Sequence, residues 1–146
     1  MSRIDLEAVA PEAYRAVAGL ERYTRANLDH TVLHLVKVRA SMLNSCGFCV
    51  DMHSRDALAA GESSRRLFAV AAWRETPFFD ERERTALALT DALTRLGEHG
   101  VPDEVWDDAA KVWSEKELAD LTVAIATINV WNRIVAATRR QPPTDG

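Results

Sequence analysis

The stretch Asn44-Ser45-Cys46-Gly47-Phe48-Cys49-Val50-Asp51-Met52-His53 carries both cysteines of the chain, two residues between them, and a histidine four positions after the second. In a helix, Cys46, Cys49 and His53 fall at i, i+3 and i+7, on one face about one turn apart. Two thiols beside an imidazole make either a redox couple or three metal ligands.

Working outward, the flanks favour a helical frame. Asn44 and Ser45 break a preceding helix, expected over about 30–43 with Asp29 as its cap and Val32, Leu35, Val36 and Met42 facing the core. Ser45 is placed to cap the cysteine helix, which would run to Ala60 and stop at Gly61 in a left-handed turn. Upstream, Pro11 suits the first turn of a helix over about 11–26, with Tyr14, Val17 and Leu20 on one side.

Downstream, a short helix over about 63–74 ends before Pro77. Asp80 with Glu83 forms an acidic capping box opening a helix to about His99. Pro102 opens another short helix, 102–112. Ser114 with Glu117 caps the longest, about 115–139, with Leu118, Leu121, Ile125, Ile128 and Asn132 on its inward stripe. No period-2 strand with turn signals at both ends competes with this. The expectation is all-α: six or seven helices in a single domain, 1–146, with no repeat or linker dividing it.

At 146 residues, 47% hydrophobic and 27% charged, the chain can bury a core without staples. A net charge of −4, with no stripe of clustered Lys and Arg, argues against nucleic acid as a partner. No apolar run approaches the ~20 residues that span a bilayer, and the first residues lack a signal-peptide layout. The expected address is cytoplasmic, with no membrane partner. Thiols stay reduced there, so a Cys-x-x-Cys is more often catalytic or metal-binding than a staple.

The redox reading has a geometric basis. Residues three apart on a helix have Cα atoms roughly 5 Å apart, inside the ~4.4–6.8 Å that a disulfide tolerates. Cys46, in the first turn, would have its thiolate favoured by the helix dipole. Cys49, one turn from His53, would have a base at hand. The two effects favour different nucleophiles, and spacing does not choose between them.

Zinc is the rival, with His30 or His34 as a fourth ligand. Thiols three apart on one helix make a poor tetrahedral chelate, however, and a domain of this size needs no structural metal. A third reading makes both cysteines core filler, which leaves their spacing and the histidine unexplained. Trp73, Trp106, Trp113 and Trp131 read as core or interface anchors. Asn129 and Asn132 read as partners for buried backbone or an interface, Arg133 as a cation needing a partner, and His99 as a helix C-terminal residue.

Around these residues, the run His34 to Glu62, HLVKVRASMLNSCGFCVDMHSRDALAAGE, resembles the carboxymuconolactone decarboxylase superfamily, specifically its alkylhydroperoxidase AhpD-like branch. Trp73-Arg74-Glu75-Thr76-Pro77-Phe78-Phe79 and Asn129-Val130-Trp131-Asn132-Arg133 resemble it too, and the likeness spans about residues 30–140. The resemblance implies an all-helical fold assembling as trimers or hexamers, and a thiol peroxidase that needs no cofactor and no metal. Cys49 would attack a hydroperoxide and become a sulfenic acid. Cys46 would resolve it as a disulfide, and His53 would belong to the proton relay. A dithiol, lipoyl or thioredoxin-type, would restore the reduced pair.

Two positions depart from the family pattern. Where the relay has a glutamate, twelve residues before the first cysteine, this chain has His34. A neutral imidazole can pass a proton but brings no negative charge to stabilise an imidazolium at His53. Phe48 stands where the best-known member has a histidine between its cysteines. A redox-sensing protein without efficient turnover is the alternative function. Lactone decarboxylation, which has no use for a dithiol, is disfavoured.

Overall fold

His30–Leu43 (α3) is the helix around which the others assemble. Val32, Leu33, Leu35, Val36, Lys37, Val38, Ala40 and Ser41 are all buried, so it is covered on nearly every side, as a helix without a continuous polar face must be. The computed structural model describes residues 1–145; Gly146, the last residue of the expected domain, lies outside them. Among the described residues there are eight α-helices and one 3-10 segment, rather than six or seven helices, and no strand.

The elements are α1 (Leu6–Val9), α2 (Pro11–Asn27), α3, α4 (Gly47–Ala59), α5 (Ser64–Ala69), the 3-10 segment Val70–Glu75, α6 (Glu81–Thr94), α7 (Asp103–Ala110) and α8 (Glu115–Thr138). Helix α3 packs against α4, α6 and α8, and α2 lies along α8. One apolar cluster joins Val32 and Val36 to Leu89, Trp113, Leu121, Ile125 and Ile128. A second joins Leu35 and Val38, on another side of α3, to Ala57, Leu67, Val70, Trp73 and Leu87. Each fully buried aliphatic side chain in these clusters contributes about 1.5–3 kcal/mol.

Local chemistry sets most helix starts. Asp29 accepts the Val32 N–H, and both capping boxes, Asp80 with Glu83 and Ser114 with Glu117, are formed in both directions. Gly61 has φ +95°, the left-handed turn expected after α4. Pro11 opens α2, and Asp5 caps the short α1, for which the sequence offered no periodic signal.

Other boundaries moved. Helix α6 stops at Thr94, short of His99, because the chain turns through Gly97 and Gly100, which form an isolated bridge. Leu96 is consequently exposed. So is Leu20, whose place on α2 lies off the stripe facing α8. Helix α8 is long and apolar enough by length and composition to cross a membrane, but its stripe Leu118, Leu121, Ile125, Ile128 and Asn132 is buried in the core as expected.

Candidate active site

The residue that ends α3 is the one expected to begin α4. Ser45 is exposed and left-handed, with φ 51°, and its N–H donates to Met42 O at 3.1 Å, while Cys46 N–H donates to Ser41 O at 2.9 Å. These bonds satisfy the last carbonyls of α3. Ser45 is therefore used as a stop rather than a cap. Cys46 itself is the N-cap of α4, without a side-chain capping bond, one position earlier than the first-turn place expected for it.

A polar network holds this junction. Asn44 Nδ2 donates to Asn129 Oδ1 and Asn132 Oδ1, both at 2.9 Å, and Asn132 Nδ2 donates to Ser41 Oγ at 3.1 Å. Asn129 Nδ2 donates to Thr94 Oγ1 at 3.0 Å. The two asparagines of α8 thus tie its core face to the turn before the cysteines. Arg133 is exposed, and its partner is the Asn129 side-chain carbonyl at 2.7 Å rather than a carboxylate.

Cys46 and Cys49 are joined as a disulfide, with Cα atoms 5.3 Å apart. Both are buried, yet only Cys49 lines the adjoining cavity of about 450 Å³. Phe48, Met52 and His53 of α4 share its wall with Tyr14 and Glu21 of α2 and Trp131, Ile134 and Val135 of α8. Tyr14 and Trp131 meet edge to face, ring centroids 5.4 Å apart. The segment Ser2 to Glu7 closes one side, anchored by Arg3 N–H to Thr138 O at 2.7 Å. Arg25 and Arg140 add positive charge, with the Arg140 guanidinium 4.6 Å from the Phe48 ring centre.

His53 is buried, and its Nε2 has no hydrogen-bond partner. Burial, then the charge of Lys37, depresses its pKa to about 4, so it is neutral at neutral pH and can accept a proton. His34 does not line the cavity. It sits on α3 with a buried, unpartnered Nδ1, and burial followed by Lys37 lowers its pKa as well. His30 is exposed, its Nε2 bonded at 2.9 Å to Arg25 O. Among the described residues, no three His, Cys, Asp or Glu side chains are grouped to hold a metal ion.

Sequence reasoning missed Glu21 and Lys37. Lys37 is only 4% exposed, and its ammonium donates to Glu21 Oε1. Burial pulls the Glu21 carboxyl up, but the hydrogen bond and charge of Lys37 outweigh it and hold the group ionised, below its ordinary value. The available signal was Leu35-Val36-Lys37-Val38, a cation inside an apolar run, and such a cation demands a carboxylate.

The arrangement of helices is AhpD-like. ATU0492 of Agrobacterium tumefaciens, a protein of unknown function described as a candidate AhpD antioxidant-defence protein, is 40% identical with a TM-score of 0.95, covering 99% of this chain and 100% of that one. Residues 10–92 match the model of the Carboxymuconolactone decarboxylase family, and the chain belongs to that family.

The uncharacterized protein YdfG of Bacillus subtilis is 35% identical over 136 residues, 92% of each chain. An uncharacterized peroxidase-related protein of Ralstonia eutropha, described as an alkylhydroperoxidase AhpD core, shares the fold at 17% identity and a TM-score of 0.83, over 95% of this chain and 75% of that one.

Proposed function

We propose that the protein is a thiol peroxidase of the AhpD kind, reducing organic hydroperoxides at Cys49. The observation that carries this reading is the asymmetry of the pair: Cys49 opens onto the cavity beside His53, whereas Cys46 lies behind it within disulfide reach. Spacing alone left both cysteines eligible as nucleophile. Access favours Cys49, as does the family likeness.

In the reduced protein, His53 takes the Cys49 proton. The thiolate attacks the terminal peroxide oxygen, the S–O bond forms as the O–O bond breaks, and the departing alkoxide receives the proton as an alcohol. The Cys46 sulfur then displaces the sulfenic oxygen, which leaves as water with the proton given up by the Cys46 thiol, and the disulfide closes. A dithiol, lipoyl or thioredoxin-type, reduces it by exchange. His34 is the secondary proton carrier of this reading, one turn from Lys37 on α3.

The apolar walls suit a hydroperoxide with a hydrocarbon or aromatic body. Assembly into trimers or hexamers belongs to the same proposal, and light scattering on the purified protein tests it.

Consumption of cumene hydroperoxide with dithiothreitol, in the wild type, Cys49→Ser and Cys46→Ser, tests the chemistry. Turnover lost in Cys49→Ser is the expected result. A wild-type rate no higher than that of Cys49→Ser removes the peroxidase, and a 46–49 disulfide that forms without turnover leaves a redox-reporting protein in its place. His34→Glu, which restores the family's carboxylate, should raise turnover if a missing negative charge at that position limits the rate.

A further inference from the structure

Three carboxylates line the cavity, and two of them, Asp5 and Glu7, are exposed on the N-terminal segment; the third, Glu21, is largely buried and is one the family pattern does not supply. Glu21 comes from α2, not from the helix preceding the cysteines, and shares the lining with Cys49 and His53. Two cations grip the same oxygen: Lys37 Nζ, and Arg25 Nε at 3.2 Å, both donate to Oε1. Oε2 has no protein partner among the described residues. In the same lining, His53 is 4% exposed with its Nε2 unbonded. A buried polar atom without a partner calls for an explanation, and a site that must accept and release a proton provides one.

We propose that Glu21, braced by Lys37, is the positioning carboxylate of this site: it acts through His53, supplying from α2 the negative charge that His34 cannot supply from α3. The proposal rests on the thiol reading above and deepens it. When His53 accepts the Cys49 proton, an imidazolium forms in a buried place, and a carboxylate on the same cavity wall offsets its charge. When the alkoxide leaves, that proton passes to it, and His53 returns to neutral. Sulfur gives two electrons to the peroxide bond in this step, and Glu21 itself gains and loses nothing.

Lys37 has a second effect. Its ammonium fixes Oε1, so the carboxylate is held by a buried group that does not line the cavity. The other charged groups that act on His53 or share its cavity lining are Arg25 on α2, Lys37 on α3, Asp56 on α4, Asp5 and Glu7 of the N-terminal segment, and Arg140 after α8. Asp56 is exposed, and the lining of the cavity does not include it. Asp5 and Glu7 share the lining too, but both are exposed and Asp5 caps α1, so Glu21 is the lining carboxylate braced by a buried cation.

Three variants test this: Glu21→Gln, the double variant Glu21→Gln/Lys37→Met, and Glu21→Gln in a His53→Ala background. Replacing both members of a buried ion pair is tolerated far better than removing one, so the double variant should fold, as circular dichroism and its unfolding midpoint report. Cumene hydroperoxide turnover should nonetheless fall about 100-fold in Glu21→Gln and in the double variant alike. Full turnover in the folded double variant overturns the proposal, because it makes the pair merely structural.

The second readout needs no peroxidase activity. The pH profile of Cys49 alkylation by iodoacetamide, in a Cys46→Ser background, should move to higher pH in the Glu21→Gln/Lys37→Met double variant, since the imidazolium that takes the Cys49 proton loses its counter-charge while the net charge of the pair stays zero. Less thiolate together with less turnover marks a group that acts through the proton acceptor. An unmoved profile overturns the proposal even where wild-type turnover is absent and the peroxidase reading has already failed. In the His53→Ala background, Glu21→Gln should change turnover no further; an independent loss there means Glu21 does not act through His53.

Discussion

Two cations stand two residues apart on α3 and serve opposite sides of that helix. Arg39 reaches Asp91, where Oδ1 accepts Arg39 Nε at 2.7 Å and Oδ2 accepts Arg39 Nη2 at 3.2 Å, Trp73 Nε1 at 3.2 Å and Arg74 Nη1 at 2.7 Å. Its remaining nitrogen binds Val70 O and Ala71 O. Lys37 reaches Glu21 beside a histidine with an open nitrogen. The first network is saturated, and the second is left incomplete at the cavity. A polar group that only supports structure is driven to fill its bonding capacity, since each buried gap costs about 1–3 kcal/mol. Among the described residues, the buried side-chain atoms left without a partner are His34 Nδ1 and His53 Nε2, and the second shares the cavity lining with Cys49.

If that division is correct, substitutions on the two sides should separate activity from stability. Cys49→Ser should cut hydroperoxide turnover about a thousandfold or more, while leaving the unfolding midpoint of the reduced protein nearly unchanged. Asp91→Ala should do the reverse. It strands Arg39, Arg74 and the Trp73 N–H at once and should cost about 3–4 kcal/mol in urea unfolding, with turnover per folded molecule intact. A stable Asp91→Ala protein would erase the contrast.

Acid sharpens it next. His53 has a folded pKa of about 4, below its unfolded value of about 6.5, so the unfolded chain takes up the proton first as pH falls. Its contribution to stability is complete above about pH 6.5, declines through that window, and is gone near pH 4, on the order of 3 kcal/mol in all. Urea midpoints measured from pH 7.5 to 4 should show this slope, and His53→Gln should flatten it. Glu21, held ionised by Lys37, loses its contribution only below the ordinary carboxylate range.

The smallest of these effects belongs to neither side. Asn132→Ala removes the acceptor of Asn44 and the donor to Ser41, and should cost about 1–3 kcal/mol. It should also slow disulfide closure after a peroxide pulse, because the turn before Cys46 loses its anchor on α8. Closure at the wild-type rate would confine Asn132 to a packing role.

What the sequence made legible follows the range over which each signal acts. Asp29, Asp80 with Glu83, Ser114 with Glu117 and Gly61 announce helix ends through neighbours three or four residues away, and all behave as read. Ser45 misled because the same residue could end one helix or begin the next, and the carbonyls of Ser41 and Met42 claimed the junction for α3.

The cysteine and histidine spacing was equally local, so the core of the site was visible. Glu21 was not, being 25 residues before Cys46 on a helix whose docking against the site no short-range pattern encodes. The cation that needed a carboxylate was Lys37. Arg133 looked similar in sequence but projects to solvent, where water and Asn129 suffice.

The position of Cys46 as the N-cap of α4 has a consequence for the backbone. Its carbonyl accepts the Val50 N–H at 2.8 Å, and no side chain covers the N–H groups that follow it. In the oxidised protein, the sulfur bridge spans this opening turn like a clasp and keeps it from fraying. Reduction releases the clasp, and the amides of Gly47, Phe48 and Cys49 then depend on tertiary packing alone for protection. Deuterium uptake at those three positions becomes a gauge of electron occupancy, readable on the resting protein in a cell extract without adding any peroxide.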